Sequence, residues 1–192
     1  IWLMGEALAP FRDQVVIATK FGTNLYVGDP NGGGAHRKSL VQSLEARLRR
    51  LGTDYIDLYQ IHWPNPRMPI KETMRAMEAL ADSGQVRYIG VSNFSVKELE
   101  EARSAMTKYP IVSNQVLYNL KRRGIEKDLL PYCQQNHITV IAYTPLADGS
   151  LTARTQALQE VADEVDKTPA QVALNWCISR PNVIVIPKSN SL

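Results

Sequence analysis

The chain has 192 residues, 44% hydrophobic and 21% charged, with a formal net charge of +3. That composition excludes a low-complexity chain and supports one globular core, and the small, scattered positive excess argues against nucleic acid as a partner. No apolar run is long enough to span a membrane and no signal peptide is recognisable, so a cytoplasmic protein without a membrane partner is expected.

The opening residues, IWLMGEALAP, are apolar and small up to Pro10 and read as the last turns of a helix. A buried strand is predicted over residues 15–20, VVIATK, ending in Lys20. The loop after it contains Gly32, Gly33 and Gly34. It has neither the Lys-Ser/Thr of a P-loop nor GxGxxG spacing, so a flexible surface loop is expected. Residues 37–51 repeat apolar side chains at 40, 41, 44, 48 and 51, a one-sided helical spacing whose charges read as the solvated face. Residues 54–64, DYIDLYQIHWP, form a short aromatic and β-branched run bounded by Gly52 and Pro64, a second buried strand that delivers His62 and Trp63 at its end.

A helix over 69–83 shares one face among Ile70, Met74, Met77 and Leu80 and stops at Gly84. A strand over 85–93 ends in Ser92 and Asn93. Ser95 and Glu98 then make a capping box that opens a helix to about Met106. A strand over 110–118 carries Asn114 and Gln115. It is succeeded by a helix over 124–137 and a strand over 138–146 ending in Tyr143 and Thr144. Helices are predicted over 155–166 and 168–179, the second with Thr168, Pro169 and Gln171 as its start signals, and a last strand over 182–188 ends at Lys188 and Ser189. Cys133 and Cys177 are the only cysteines, lie in helical sequence and lack metal-ligand spacing. Two reduced buried thiols and no metal are expected.

Six strands alternate with helices, and each strand reads as apolar on both faces. This is the pattern of a parallel sheet covered by helices, either an open doubly wound sheet or a (β/α) barrel. No glycine-rich turn comes after the first strand, which leaves the dinucleotide-binding doubly wound type without support. In a barrel, Lys20, His62, Ser92 with Asn93, Gln115, Tyr143 and Lys188 would all reach one mouth. Singly, each has a structural explanation. Together, six consecutive strand ends bearing hydrogen-bonding or cationic side chains indicate a site.

The segments ATKFG, RLGTDYIDLYQIHWP, GQVRYIGVSNFS, SNQVLYNL, AYTPLA, TPAQVALNW and IPKSN resemble those of aldo-keto reductases, in the family's order and spacing, with the prokaryotic NADPH-dependent branch nearest. The resemblance implies a (β/α)8 TIM barrel that binds NADP(H) at its C-terminal mouth and moves a hydride reversibly between nicotinamide and a small carbonyl substrate. It assigns Lys20 and His62 to a catalytic Asp-Tyr-Lys-His tetrad. It assigns Ser92, Asn93 and Gln115 to the nicotinamide carboxamide, Tyr143 to stacking under the nicotinamide ring, Thr144, Pro145 and Leu146 to cofactor binding, Lys188 and Ser189 to the 2′-phosphate, and Trp63 to a wall of the substrate pocket.

The family's Asp and Tyr match no residue of this chain. Tyr26, Tyr55, Tyr59 and Tyr88 read as loop or strand-core residues instead. Six strands stand where eight are needed, and such barrels usually take about 250 residues. The expectation is a single incomplete domain over residues 1–192, without the first two strands and the C-terminal tail, inactive by itself and part of a longer protein that is favoured to be monomeric. If these residues are the whole polypeptide, the strand edges at its two ends would pair with other chains or with each other. Two other readings stay open: a non-catalytic NADP(H)-binding sensor or scaffold, and a barrel enzyme using Lys20 as a Schiff-base nucleophile.

Overall fold

The computed structural model describes residues 1–22, 37–66, 68–151 and 156–188. These residues form two compact units, Ile1–Val112 and Ser113–Leu192. The glycine-rich loop and Tyr26 lie outside the described residues, as does Ser189.

In the first unit, helix α1 (Trp2–Leu8) runs into a 3-10 turn over Ala9–Gln14 and then strand β1 (Ala18–Phe21). Helix α2 (Arg37–Leu51), strand β2 (Ile56–Ile61), helix α3 (Ile70–Asp82), strand β3 (Val86–Ser92) and helix α4 (Val96–Ala105) come next. Strands β1, β2 and β3 are parallel neighbours, with Lys20 opposite Gln60 and Gln60 opposite Gly90. The periodic helix residues face inward as their spacing requires: Leu40, Leu44, Leu48 and Leu51 on α2, and Met74, Met77 and Leu80 on α3, are buried, and the Tyr59 hydroxyl of β2 donates to the Leu40 carbonyl of α2. Helix α4 starts at the predicted capping box, Ser95 with Glu98. Where α1 meets α2, a Cβ on Gly5 would lie 2.6 Å from the Leu51 carbonyl oxygen, so only glycine permits this approach.

Strand β4 (Ile111–Leu117) leads into the second unit, where strand β5 (Thr139–Tyr143) and strand β6 (Val183–Ile186) continue in parallel register. Helix α5 (Leu129–Gln135), helix α6 (Gln156–Glu164) and helix α7 (Pro169–Ile178) connect them. Helix α7 has the predicted Thr168–Gln171 capping box. Cys133 and Cys177 are free and buried, and burial pushes their thiols up to about 12 and about 11.

Four expectations are corrected. The first strand begins at Ala18, because residues 15–17 are held otherwise: the Val15 carbonyl accepts from Arg12, Val16 is solvent-exposed, and the Ile17 N–H is donated to Asp57. The helix expected over 124–137 is split into a 3-10 turn (Gly124–Glu126) and α5. Pro131 has no N–H to continue a helix from Gly124, so α5 starts just ahead of it, capped by Asp128. The strands are not buried on both faces throughout. β2 is wholly buried between two strand neighbours, whereas β6, the last strand of the order, leaves Ile184 and Ile186 exposed. Tyr88 is likewise exposed on β3 rather than a core residue.

The junction of α3 with the segment after α4 rests on one buried carboxylate. Glu78 accepts the N–H groups of Lys108, Thr107 and Tyr109 at 2.7, 2.8 and 3.3 Å, and the Thr107 hydroxyl at 3.1 Å. Burial works against its charge, but the backbone N–H donors outweigh that and hold the carboxyl below the usual glutamate range. A proton therefore binds Glu78 more weakly in the folded state than in the unfolded one. Its contribution is complete above the unfolded value of about 4.3 and is lost as pH falls through the lower folded value. Glu78→Ala is expected to cost about 1–3 kcal/mol at neutral pH and to flatten the acid loss of stability, measured by urea unfolding across the carboxylate range.

Candidate active site

In the first unit, the parallel register brings the predicted side chains to one end of the sheet. Lys20 lies on β1, one residue before its end, His62 comes directly after the last residue of β2, and Ser92 ends β3. The ladder continues past β2, since the His62 N–H is donated to the Phe21 carbonyl at 2.8 Å. Asn93 has φ of 63°, a left-handed turn that asparagine tolerates better than most residues. The turn aims its Nδ2 at the His62 carbonyl and the Ser92 hydroxyl, each at 3.0 Å, which locks the end of β3 to the end of β2.

The electrostatics of this end are set by burial and by one cation. Burial lowers the affinity of Lys20 for its proton. His62 is held below the usual imidazole value, first by burial and then by the nearby Lys20 charge. The unperturbed value is about 6.5, so His62 is a neutral ring at neutral pH, able to donate from one nitrogen and accept at the other. Trp63 lies beside it, ring centroids 6.4 Å apart and planes 27° apart, with its indole half exposed.

In the second unit, Gln115 is buried on β4, Tyr143 ends β5 half-buried, and Lys188 stands exposed two residues past β6. Thr144, φ 53°, turns the chain sharply out of β5. The buried Asn119 holds this turn: its Nδ2 donates to the Thr144 carbonyl at 2.9 Å, while its Oδ1 accepts the Lys121 and Arg122 N–H groups. Pro145 is buried and Leu146 half-buried in the same turn.

Three participants escape a reading of the sequence. Asn119 is masked in YNL as an ordinary loop residue. Arg47 sits among the charges of α2 that read as solvated, yet its Nε donates to Thr19 Oγ1 at 3.1 Å and its guanidinium binds Ser43, so α2 is pinned to the residue preceding Lys20. Gln60 is a fully buried amide in the run that ends at His62. Its one sequence signal is a polar residue inside an apolar strand.

Comparison with known proteins gives this arrangement a family. The Aldo/keto reductase family matches residues 2–192. The chain belongs to that family. It is 38% identical over 194 residues to methylglyoxal reductase YeaE of Escherichia coli K12, covering 99% of this chain and 65% of that protein. It is 41% identical over 154 residues to aldo-keto reductase YhdN of Bacillus subtilis 168, covering 79% of this chain and 45% of that protein. Among solved structures it is similar to the thermostable aldo-keto reductase Tm1743 in complex with epalrestat, with TM-score 0.87 and 41% identity over 100% of this chain and 67% of that one. It is also similar to the Klebsiella pneumoniae aldo/keto reductase in complex with NADP and acetate, with TM-score 0.83 and 36% identity over 99% of this chain and 65% of that one. The chain thus spans about two thirds or less of the curated relatives it matches first. The fold class is α/β, the (β/α)8 barrel type, with six of its strands among the described residues. No helix among the described residues is long and apolar enough to cross a membrane.

Proposed function

We propose that residues 1–192 belong to one (β/α)8 domain of an NADP(H)-dependent oxidoreductase that reduces small aldehydes or ketones to alcohols. The observation that carries the reading is the pair Lys20 and neutral His62 at the ends of adjacent parallel strands, beside Trp63. The relatives support it: YeaE is a methylglyoxal reductase, another relative is an L-glyceraldehyde 3-phosphate reductase, and aldo-keto reductase structures from Klebsiella pneumoniae hold NADP in one case and NADPH in another.

The donor set suits this cofactor. Ser92, Asn93 and Gln115 offer hydroxyl and amide groups for a carboxamide, Tyr143 offers a half-buried ring, and the exposed Lys188 ammonium suits a phosphate, with Ser189 next in sequence. Thr144, Pro145 and Leu146 would add cofactor contacts from their turn. When bound, NADPH supplies the hydride. The residues of this chain manage the charge that hydride transfer leaves on the substrate. A carbonyl carbon that gains a hydride leaves negative charge on oxygen. The neutral His62 can donate an N–H to that oxygen and so orient the carbonyl, and the Lys20 ammonium stabilises the developing charge. In the family resemblance the proton comes from a Tyr supported by an Asp. Neither has a counterpart here, so the 192 residues alone are expected to bind better than they turn over.

Cofactor choice tests the reading. Measured by NADPH fluorescence in the protein that carries this chain, Lys188→Glu is expected to weaken NADPH binding about tenfold and leave NADH binding nearly unchanged. Equal weakening of both nucleotides, or none, would count against the assignment of Lys188. Tight binding without reduction of any aldehyde would favour the sensor or scaffold reading.

A further inference from the structure

Thr144 is a β-branched residue with φ of 53°, a left-handed conformation that crowds its Cβ and that glycine or asparagine adopts far more readily. Such a residue persists only where its surroundings over-determine it. Two donors hold it here: the Thr144 carbonyl accepts the Ala147 N–H at 3.0 Å and Asn119 Nδ2 at 2.9 Å. The first donor belongs to the turn itself, and the second comes from a different segment of the same unit. Asn119 is 1% exposed and is fixed from its own side. Its Oδ1 accepts the Lys121 and Arg122 N–H groups at 3.0 and 2.9 Å, and its backbone exchanges hydrogen bonds with Arg122. Tyr118, directly before it, is fully buried. Its ring lies 5.3 Å from that of Trp176 on α7, and its hydroxyl donates to Glu126 at 2.7 Å. Further along, Lys121 Nζ donates to Ser150 Oγ at 2.9 Å. The segment 118–122 therefore grips the loop after β5 at Thr144 and again at Ser150.

We propose that Asn119 is a positioning residue for the nucleotide cofactor: it holds the Thr144 carbonyl, keeps that residue left-handed, and so presets Tyr143, Pro145 and Leu146 for binding. The inference rests on the proposed cofactor role of that turn. Tyr143 directly precedes Thr144 and Pro145 directly follows it, so a rotation at Thr144 turns the ring and the Pro145–Leu146 backbone relative to each other. Without the Asn119 amide the strained residue loses one of its two donors, and part of the population leaves the left-handed turn. Affinity falls by the fraction that stays competent: with a tenth of the molecules in the right turn, binding weakens about tenfold. Saturating nucleotide draws the population back, so the loss falls on affinity and spares turnover. The turn is assigned to the nicotinamide side, away from the 2′-phosphate. NADPH and NADH are therefore weakened alike, unlike the selective loss expected of Lys188→Glu.

The test uses Asn119→Ser in the protein that carries this chain. A serine hydroxyl still accepts the Lys121 and Arg122 N–H groups and is too short to reach the Thr144 carbonyl. Fluorescence titration is expected to show NADPH and NADH each bound about tenfold more weakly, with kcat at saturating nucleotide within about threefold of wild type. Thr144→Gly supplies a rescue, because glycine takes a left-handed φ without strain. In the Thr144→Gly background, Asn119→Ser is expected to weaken binding by about threefold or less. If Asn119→Ser does not fold, Asn119→Asp takes its place, since its carboxylate accepts the same two N–H groups and offers Thr144 no donor. Three results would each overturn the proposal: wild-type affinity for both nucleotides in the folded variant, a loss as large in the Thr144→Gly background, or a fall in kcat with affinity unchanged. A wild-type protein that binds neither nucleotide would instead overturn the cofactor reading itself, and the role of Asn119 with it.

Discussion

Replacing Lys20 with methionine is expected to lower carbonyl reduction about 100- to 10,000-fold while NADPH binding stays within about threefold. Methionine keeps the unbranched stem and removes only the ammonium. The expectation rests on position and charge. Lys20 is held on a strand of four residues, Ala18–Phe21, whose outward neighbour Thr19 is pinned by Arg47 and whose inward partner is Gln60. Its cation is close enough to His62 to lower that ring's affinity for a proton. Losing the charge removes stabilisation of an oxygen that turns negative only as the reaction proceeds, so the loss falls on kcat and not on cofactor affinity. Steady-state rates and fluorescence titration of the two proteins, side by side, separate the two quantities. A loss confined to NADPH affinity would assign Lys20 to binding instead of chemistry.

The second large effect lies at the opposite ends of the same strands. Asp57 is 3% exposed, accepts the Ile17 N–H at 3.0 Å, and meets Arg12 at 2.7 Å and Arg87 at 3.2 Å. Both guanidiniums also stack on Tyr55, 3.8 and 3.7 Å from its ring centroid. This cluster joins the starts of β1, β2 and β3 and fixes where β1 begins. Asp57→Ala leaves the poorly solvated Arg12 and the Ile17 N–H without their carboxylate. It is expected to cost about 3–5 kcal/mol, seen as a fall in Tm of about 6–20 °C. Arg87→Ala removes a half-exposed partner and is expected to cost no more than about 1 kcal/mol. Equal losses in the two variants would show that the carboxylate is not the centre of the cluster.

Much of this architecture is legible in the chain itself, because each strand is bracketed by turn residues and each helix carries a one-sided apolar repeat. His62 and Lys20 stand out because a strand-end position in a parallel fold faces the ligand side. The capping boxes at Ser95 and Thr168 are readable because their chemistry is local, three residues apart. What is not legible depends on distance. Arg12 and Asp57 are far apart in the sequence, and no spacing rule joins them. Arg47 reads as a surface cation until α2 is laid across Thr19. Gln60 reads as a stray polar residue until register sets it between Lys20 and Gly90, with its amide nitrogen donating to the Val91 carbonyl. The start of β1 escapes for the same reason, since Val15 and Val16 have strand-forming side chains but their backbone is claimed by Arg12 and by solvent exposure. Pro131, by contrast, is a local signal sufficient to split the helix over 124–137.

Carbonyl reduction with NADPH at these strand ends is the activity proposed for the protein that carries this chain. It is tested most directly by measuring aldehyde-dependent oxidation of NADPH by the protein that carries this chain, beside its His62→Gln variant. The expected result is oxidation that requires the aldehyde and falls sharply in the variant. Undiminished oxidation in His62→Gln, or NADPH that binds and is never oxidised by any aldehyde, would contradict it.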